Sequence, residues 1–219
     1  MYATNVVGQK LTFVVSGKLW NRSLIMMDVE TETLWSHLLG RGMAGQHKGK
    51  LLETIPSDIT TWSTWKDEHP GTTVLNLKRS SWQFVKDFYK DPGRFVVGFV
   101  GNFGMHHVLM EQLLNRPVVN VDARGLLLLV VFDPEGTATR VYHRKVDDQI
   151  LTFSSDAAGR FVDDQTKSTW NRQGVAIAGS LEGKTMHQQV SIPSFKRAWL
   201  TFHPNSGLID LESLPTGNK

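Results

Sequence analysis

An internal repeat constrains the fold of this chain more than any other feature of its sequence. Residues 2–13 (YATNVVGQKLTF) align without gaps with residues 142–153 (YHRKVDDQILTF), and the match continues after a short gap and one deletion. The matched pairs are Tyr2 with Tyr142, Val6 with Val146, Gln9 with Gln149, Leu11 with Leu151, Phe13 with Phe153, Asp28 with Asp163, Thr31 with Thr166, Trp35 with Trp170, Gly40 with Gly174, Trp62 with Trp199 and His69 with His203. Two copies indicate a duplicated module and exclude propellers and solenoids, which need more units.

The second copy extends further towards the N-terminus than the first. Residues 94–140 belong to it, and the first copy has no counterpart of them because the sequence begins at Met1. We expect Met1 to be an internal methionine of a longer protein; the alternative is a natural half-module whose edge another chain covers. An incomplete sheet would expose a strand edge, which favours self-association or a partner that completes the first module.

This comparison divides the chain into four parts. We assign residues 1–77 to the C-terminal half of a first module and residues 78–93 to a polar, aromatic connector. Residues 94–209 form a complete but divergent second module, and residues 210–219 form a frayed tail.

Short apolar and β-branched runs between glycine-rich turns predict a mostly β (α+β) fold with short helices. Strands are predicted at residues 10–16 and 24–28 in the first copy and at 118–121 and 126–132 in the second. The two β-rich modules are expected to be related, and one way to pack them is as a single pseudo-symmetric unit.

A short helix is predicted in each copy. Ser57 is the expected N-cap of the first, and the helix should end near His69 because a residue before proline avoids the α region. Residues 194–202 should form its twin.

Composition excludes several classes of function. The formal net charge is only +3 with a pI near 9.2 and no cluster of basic residues, so no nucleic-acid partner is expected. The chain has no cysteine, which excludes disulfides and thiolate-bound zinc. No apolar run reaches the length of a membrane span, and residues 126–132 suit a buried strand better. The first ten residues do not have the pattern of a signal peptide.

Longer stretches of the chain resemble a known family. LTFVVSGKLWNRSLIMMD, ETETLWSHLLGRGMAG and KLLETIPSDITTWSTWKDEHPGTTVL are similar to the family called domain of unknown function 3179, and RPVVNVDARGLLLLVVFDPEGTATRVY resembles the same module in divergent form. The family has no settled activity. Its members are typically exported or lipid-anchored, so the resemblance implies an extracytoplasmic or membrane-anchored location.

The resemblance also indicates where chemistry is expected. Intact modules of the family usually carry a Tyr-Cys-Pro-x-Cys-like stretch shortly before the Leu-Thr-Phe strand. In the second copy Phe132-Asp133-Pro134-Glu135-Gly136 takes its place, without cysteine, and in the first copy the position falls before Met1. The sequence therefore departs from the family at this point.

The paired tryptophans have two interpretations. Trp35, Trp170, Trp62 and Trp199 would form stacking platforms for a sugar or base, or they would pack in the core at the same place in both copies. Aromatic side chains bury large areas, which favours the core.

The histidines and Asp28 are the candidate site residues. His69 and His203 match, and a helix end before proline explains both without a metal or acid–base role. His37 and His47 face Gln173 or Gly174 and Leu181 in the second copy, so they are specific to the first. Together with Asp28 and the Met26-Met27 pair they would bind a transition metal. Asp28 and Asp163 each precede a polar turn, for which capping is the usual role.

Three hypotheses on function follow. The first is a non-catalytic structural or binding module of the cell envelope, since the sequence contains no complete catalytic motif. The second is a metal-binding or redox protein that uses cysteines upstream of Met1, with a transition metal in the full-length protein. The third is a carbohydrate-binding module. The best single candidate residue is His37, next to the repeated Trp35.

Overall fold

A computed structural model describes residues 1–74, 91–155 and 160–214 of the chain. Most of the predicted connector and the last residues of the predicted tail lie outside this part. The described residues are mostly β, as predicted, with three short helices: α1 (Trp62–Glu68), α2 (Met110–Asn115) and α3 (Lys196–Phe202). Within the described ranges, no helix has the length and apolar character that crossing a membrane requires.

The chain forms two compact units that exchange helices between the repeats. Unit 1 contains Met1–Ser57 and Lys196–Asn205, and unit 2 contains Asp58–Phe195 and the segment from Ser206 onwards. Helix α1 of the first copy therefore belongs to unit 2, and helix α3 of the second copy belongs to unit 1. The boundaries predicted from sequence kept each helix with its own copy.

Unit 1 is a β-hairpin followed by a four-stranded antiparallel meander. Strands β1 and β2 form the hairpin, and β3, β4, β5 and β6 form the meander in that order. The strands are β1 (Asn5–Val6), β2 (Gln9–Lys10), β3 (Phe13–Trp20), β4 (Ser23–Asp28), β5 (Leu34–Ser36) and β6 (Arg41–Ala44). Val6, Leu11, Trp35 and Leu52 are its buried core, and Phe202 of α3 packs edge-on against Trp20.

Unit 2 repeats this pattern and adds two further sheets. Its strands are β7 (Phe95–Gly101), β8 (Gly104–Leu109), β9 (Val118–Asp122), β10 (Leu127–Asp133), β11 (Ala138–His143), β12 (Lys145–Val146), β13 (Gln149–Ile150), β14 (Phe153–Ser155), β15 (Phe161–Asp163), β16 (Thr169–Trp170), β17 (Ala176–Ala178), β18 (Gln188–Gln189), β19 (Ser191–Phe195) and β20 (Gly207–Leu208). Strands β12–β13 form the hairpin and β14–β17 the meander. The added sheets have the orders β18-β11-β10-β9 and β19-β7-β8-β20.

Strand β10 explains the long apolar run of the sequence. Side chains alternate between the two faces of a strand. Leu128 and Val130 lie in one apolar core of unit 2, whereas Leu129 and Val131 lie in the other. A strand buried on both faces needs a continuous apolar sequence, as predicted for residues 126–132.

Helix α1 starts later than predicted. The Thr61 side chain accepts the Thr64 N–H and caps the helix, so the expected N-cap at Ser57 is wrong. The reason is tertiary: the Thr61 N–H and the Thr60 hydroxyl both donate to the Gly136 carbonyl, at 3.0 and 3.2 Å, which ties this segment to the turn at Gly136. The predicted end at His69 is confirmed.

Residues 210–214 are docked rather than frayed. Leu211 is fully buried in the larger core of unit 2. Its N–H donates to Gln112 at 3.1 Å and its carbonyl accepts from Arg116. The predicted frayed tail is therefore wrong for these residues, because one leucine supplies an apolar anchor.

Candidate functional site

Asp28 is the buried cap of the turn between β4 and β5. Its carboxylate accepts the indole N–H of Trp35 at 2.8 Å and the backbone N–H of Thr31 at 2.6 Å. Burial acts to raise the pKa of the Asp28 carboxyl, but these hydrogen bonds outweigh it and hold the pKa below its ordinary value. The capping role predicted for Asp28 is confirmed, and the ring of Trp35 is fully buried.

The second copy repeats the two hydrogen bonds of this turn. The Trp170 indole N–H donates to Asp163 at 3.0 Å, and the Thr166 N–H donates to the same carboxylate at 2.5 Å. Because both copies need this arrangement, these residues build the module.

The core interpretation of the tryptophans is confirmed for three of the four. Trp35, Trp170 and Trp199 are fully buried, whereas Trp62 is 52% exposed. The geometry also pairs Trp199 with Trp65. Each ring packs against the histidine four residues later in a tilted arrangement, with ring centroids 4.0 Å apart for Trp65–His69 and 4.3 Å for Trp199–His203. The proposed pair of Trp62 with Trp199 is therefore wrong by three positions.

His69 ends α1 as its position before proline predicts. Its backbone N–H donates to the Trp65 carbonyl at 2.8 Å, and its side chain is exposed. The imidazole of its counterpart His203 is less accessible, and burial lowers its pKa.

His47 and His37 have different environments in the structure. The His47 ring is buried beside Trp35, with ring centroids 6.0 Å apart, and no described residue forms a hydrogen bond with its Nε2. His37 lies on the surface, and burial of its imidazole and the Met1 ammonium lower its pKa. Met26 and Met27, as neighbours on β4, point to opposite faces. No group of three histidine or carboxylate side chains within the described ranges is placed to hold a metal ion.

The counterpart of His37 is Arg172. The Tyr2 hydroxyl donates to the His37 carbonyl at 2.7 Å, and the Tyr142 hydroxyl donates to the Arg172 carbonyl at 2.8 Å. The sequence comparison had expected Gln173 or Gly174 here. Arg172 lines a cleft of unit 2 to which none of the candidate residues from the sequence belongs.

Unit 2 carries an open polar cleft with a volume of about 760 Å³. All of its lining residues except Val175 are polar or charged. They are Thr64, Asp67, Glu68, Asp133, Glu135, Arg160, Asn171, Arg172, Gln173 and Val175. Helix α1, the turn after β10 and the turn between β16 and β17 supply most of them.

The turn after β10 forms one wall of the cleft. Asp133 is buried and accepts a hydrogen bond from Arg172 Nη1 at 2.7 Å and one from the Glu135 N–H at 3.1 Å. A Cβ added at Gly136 would lie 2.6 Å from the Asp133 carboxylate and 2.9 Å from the Thr64 hydroxyl, so any side chain here would displace these groups. This is the segment at which the sequence departs from the cysteine stretch of the family it resembles.

A buried arginine holds helix α1 beside the cleft. Arg140 is 6% exposed and forms ion pairs with Asp58, at 2.6 Å from Nε, and with Glu68, at 2.8 Å from Nη2. Burial acts to lower the pKa of the Arg140 guanidinium, but the hydrogen bonds to Glu68 and Asp58 outweigh this effect. The pKa is therefore raised above its ordinary value, and the group stays charged. The network fixes Glu68, and with it the helix face that lines the cleft.

Sequence reasoning overlooked this network. Asp58, Glu68 and Arg172 carry no motif, and their partners are distant in the chain. The one available signal was Arg140, a charged residue in the middle of strand β11, where burial requires a partner.

Fold and cleft define a class of protein: a duplicated β-rich module of hairpin and meander, with a polar cleft in unit 2. A family model described as protein of unknown function (DUF3179) matches the chain twice, over residues 1–97 and 91–206. The chain belongs to this family and carries its module in tandem, as the resemblance predicted. No curated protein and no solved structure matches it.

Proposed function

We propose that this protein is a non-catalytic binding module of the cell envelope, and that the polar cleft of unit 2 is its ligand site. The supporting observation is the arrangement of charge in the cleft. Asp133 and Glu68 already accept hydrogen bonds from Arg172 and Arg140, so the wall is a fixed set of polar groups. The envelope location rests on the family resemblance, and fractionation of native cells tests it.

The ligand class that fits this lining is a saccharide. A sugar hydroxyl both donates and accepts, so it is recognised by donors and acceptors side by side. The cleft supplies donors from Arg172, Asn171 and Gln173 and acceptors from Asp67 and Glu135. An apolar ligand would leave these groups without partners, which is costly.

The experiment is a titration of the chain with a panel of mono- and oligosaccharides, followed by NMR chemical shifts and calorimetry. Arg172→Ala removes a donor from the cleft and should weaken binding at least about tenfold, as expected for a hydrogen bond from a charged group. Lys184→Ala is the matched control, because Lys184 belongs to unit 2 but pairs with the exposed Asp147 at 2.9 Å. The control should bind like the unmodified chain.

Two results would overturn the proposal. One is the absence of shifts in the cleft with every saccharide, or equal losses in both variants. The other is turnover of a defined substrate that disappears with His37→Ala, since a catalytic protein would then be established.

A metal-binding or redox function is the second candidate, supported by His47. Its buried Nε2 has no hydrogen-bond partner among the described residues and lies near the Asp28–Trp35 pair. In a full-length protein with an upstream cysteine pair, this candidate requires a stoichiometric metal or a titratable thiol pair. Elemental analysis and thiol titration of that protein decide it.

A further inference from the structure

Two histidines of unit 2 lie opposite each other where β11 pairs with β18. Tyr142 is opposite Gln188 in this antiparallel ladder. The next step of the same register places His143 opposite His187, and the His143 N–H donates to the His187 carbonyl at 2.9 Å. Opposite side chains lie on the same face of a sheet. The two imidazoles are accordingly in contact, with ring centroids 4.9 Å apart.

The first repeat has the same backbone contact without histidines. Ala3 aligns with His143, and the Ala3 N–H donates to the Glu53 carbonyl at 2.9 Å. This bond makes Glu53 the counterpart of His187. The module thus folds with alanine and glutamate at these two positions, so its backbone does not require the histidine pair.

Gln189 fixes the tautomer of the His143 ring. The Gln189 amide donates from Nε2 to the Val100 carbonyl at 2.9 Å, and since a carbonyl oxygen cannot donate, this bond determines the orientation of the amide. Its Oε1 lies 2.8 Å from His143 Nε2, and because this oxygen only accepts, Nε2 carries the hydrogen. The lone pair of the neutral ring is then on Nδ1. Among residues 1–74, 91–155 and 160–214, none forms a hydrogen bond with this atom.

The separation of the rings matches that of two histidines on one metal ion. With metal–nitrogen distances of about 2.0–2.1 Å, imidazoles in neighbouring coordination positions have ring centroids about 5 Å apart. Histidines that bind metals donate their second ring N–H to a protein or water oxygen, and Gln189 accepts that bond from His143. The His187 side chain is exposed, so its ring can rotate to direct a nitrogen at the metal.

The charged residue next to His143 has partners elsewhere. Arg144 Nε donates to the Leu151 carbonyl at 2.6 Å, and its Nη2 donates to the Thr152 hydroxyl at 2.8 Å. The guanidinium is therefore held by the segment before β14 and does not bond to either histidine.

We propose that His143 Nδ1 and the imidazole of His187 form a binding site for a divalent transition-metal ion such as Cu²⁺ or Zn²⁺. Imidazole is a ligand that both ions accept. Within the described ranges no third histidine or carboxylate joins the pair, so the other coordination positions are open to water or to a further ligand. The inference depends neither on the polar cleft nor on His47.

The test is calorimetric titration of the whole chain with Zn²⁺, followed by electron paramagnetic resonance of the chain with Cu²⁺. We expect one ion at this site and hyperfine coupling from two imidazole nitrogens. His187→Ala, and His143→Ala, which copies the first repeat, should each weaken binding at least about tenfold. Gln189→Leu removes the acceptor that fixes the tautomer and should weaken binding by a similar factor.

His69→Ala is the matched control, because His69 is also an exposed histidine of unit 2 in contact with another ring, that of Trp65 at 4.0 Å. This variant should bind the metal like the unmodified chain. Since His187 is exposed, His187→Ala should keep its metal-free melting temperature, which separates loss of a ligand from loss of the fold.

Three results would overturn the proposal. The first is the absence of Zn²⁺ and Cu²⁺ binding, and the second is an equal loss of binding in His187→Ala and His69→Ala. Either result would leave an edge-to-face ring contact as the role of the pair. The third is a loss of binding in His47→Leu that His187→Ala does not show, because the metal would then lie in unit 1.

Discussion

Arg140 Nε donates to the Asp58 carboxylate at 2.6 Å, although the two residues are 82 positions apart in the chain. Arg140 lies on β11 of the second copy, and Asp58 precedes the helix of the first. Both belong to unit 2. This ion pair, with that of Glu68, gives a physical reason for the assignment of α1 to unit 2.

Replacing Arg140 should therefore destabilise the protein strongly. Arg140→Met keeps the apolar stem but leaves Asp58 and Glu68 without their cation, and breaking a buried ion pair costs about 3–5 kcal/mol. Urea unfolding measures the loss.

Lys167→Ala is the control for this variant, because Lys167 and Asp164 are exposed and 4.0 Å apart. Such a pair contributes less than about 1 kcal/mol. Similar losses in both variants would contradict the role of Arg140.

Gly136→Ala should narrow the cleft and destabilise unit 2. The added methyl would overlap the Asp133 carboxylate and the Thr64 hydroxyl. Overpacking of this kind costs about 1–3 kcal/mol. Gly71→Ala is the control, since its Cβ meets no atom within 4 Å. Thermal melts of the two variants measure the difference, and equal melting temperatures would refute the contact.

The repeat made much of the core predictable. Because Asp28 and Asp163 precede matched polar turns, their capping role followed from local chemistry. The start of α1 did not, because Ser57 satisfies the local rule for an N-cap while Gly136, far along the chain, binds Thr60 and Thr61 instead.

The cleft was predictable only in part. The family resemblance marked the segment at Asp133 as the place where chemistry is expected. Arg172 and Glu68 were not marked, because ion pairs between residues that are distant in the chain have no characteristic spacing in the sequence. The exchange of helices was hidden for a related reason, since both helices carry similar tryptophan and histidine positions.

Asp28 should make the stability of unit 1 depend on pH. Its pKa is lower in the folded chain than the ordinary value of 3.8. A depressed carboxyl pKa contributes stability above the unfolded value, and this is lost as the pH falls through the folded value. Asp28→Asn should cost about 1.5–3 kcal/mol at neutral pH, as expected for hydrogen bonds to a charged group.

The difference between the unmodified chain and Asp28→Asn should shrink as the pH falls from about 5 towards 2. Denaturant unfolding across this range is the measurement. Asp148→Asn changes an exposed carboxylate and serves as the control. If the difference in free energy of unfolding stayed constant with pH, the contribution of Asp28 would not depend on its charge.

His47→Leu should stabilise the chain. The His47 side chain is buried with Nε2 unpaired among the described residues, and a buried polar atom without a partner costs about 1–3 kcal/mol. The second copy has Leu181 at this position, where it packs against the core of unit 2. The reciprocal variant Leu181→His should destabilise unit 2 by a similar amount, because it introduces the same unpaired atom.

Unfolding in metal-free buffer measures both changes, and a loss of stability in His47→Leu would indicate that the imidazole has a partner of its own. Repeating the measurement with added zinc tests whether His47 binds a metal, since a metal bound at His47 would stabilise the unmodified chain more than it stabilises His47→Leu.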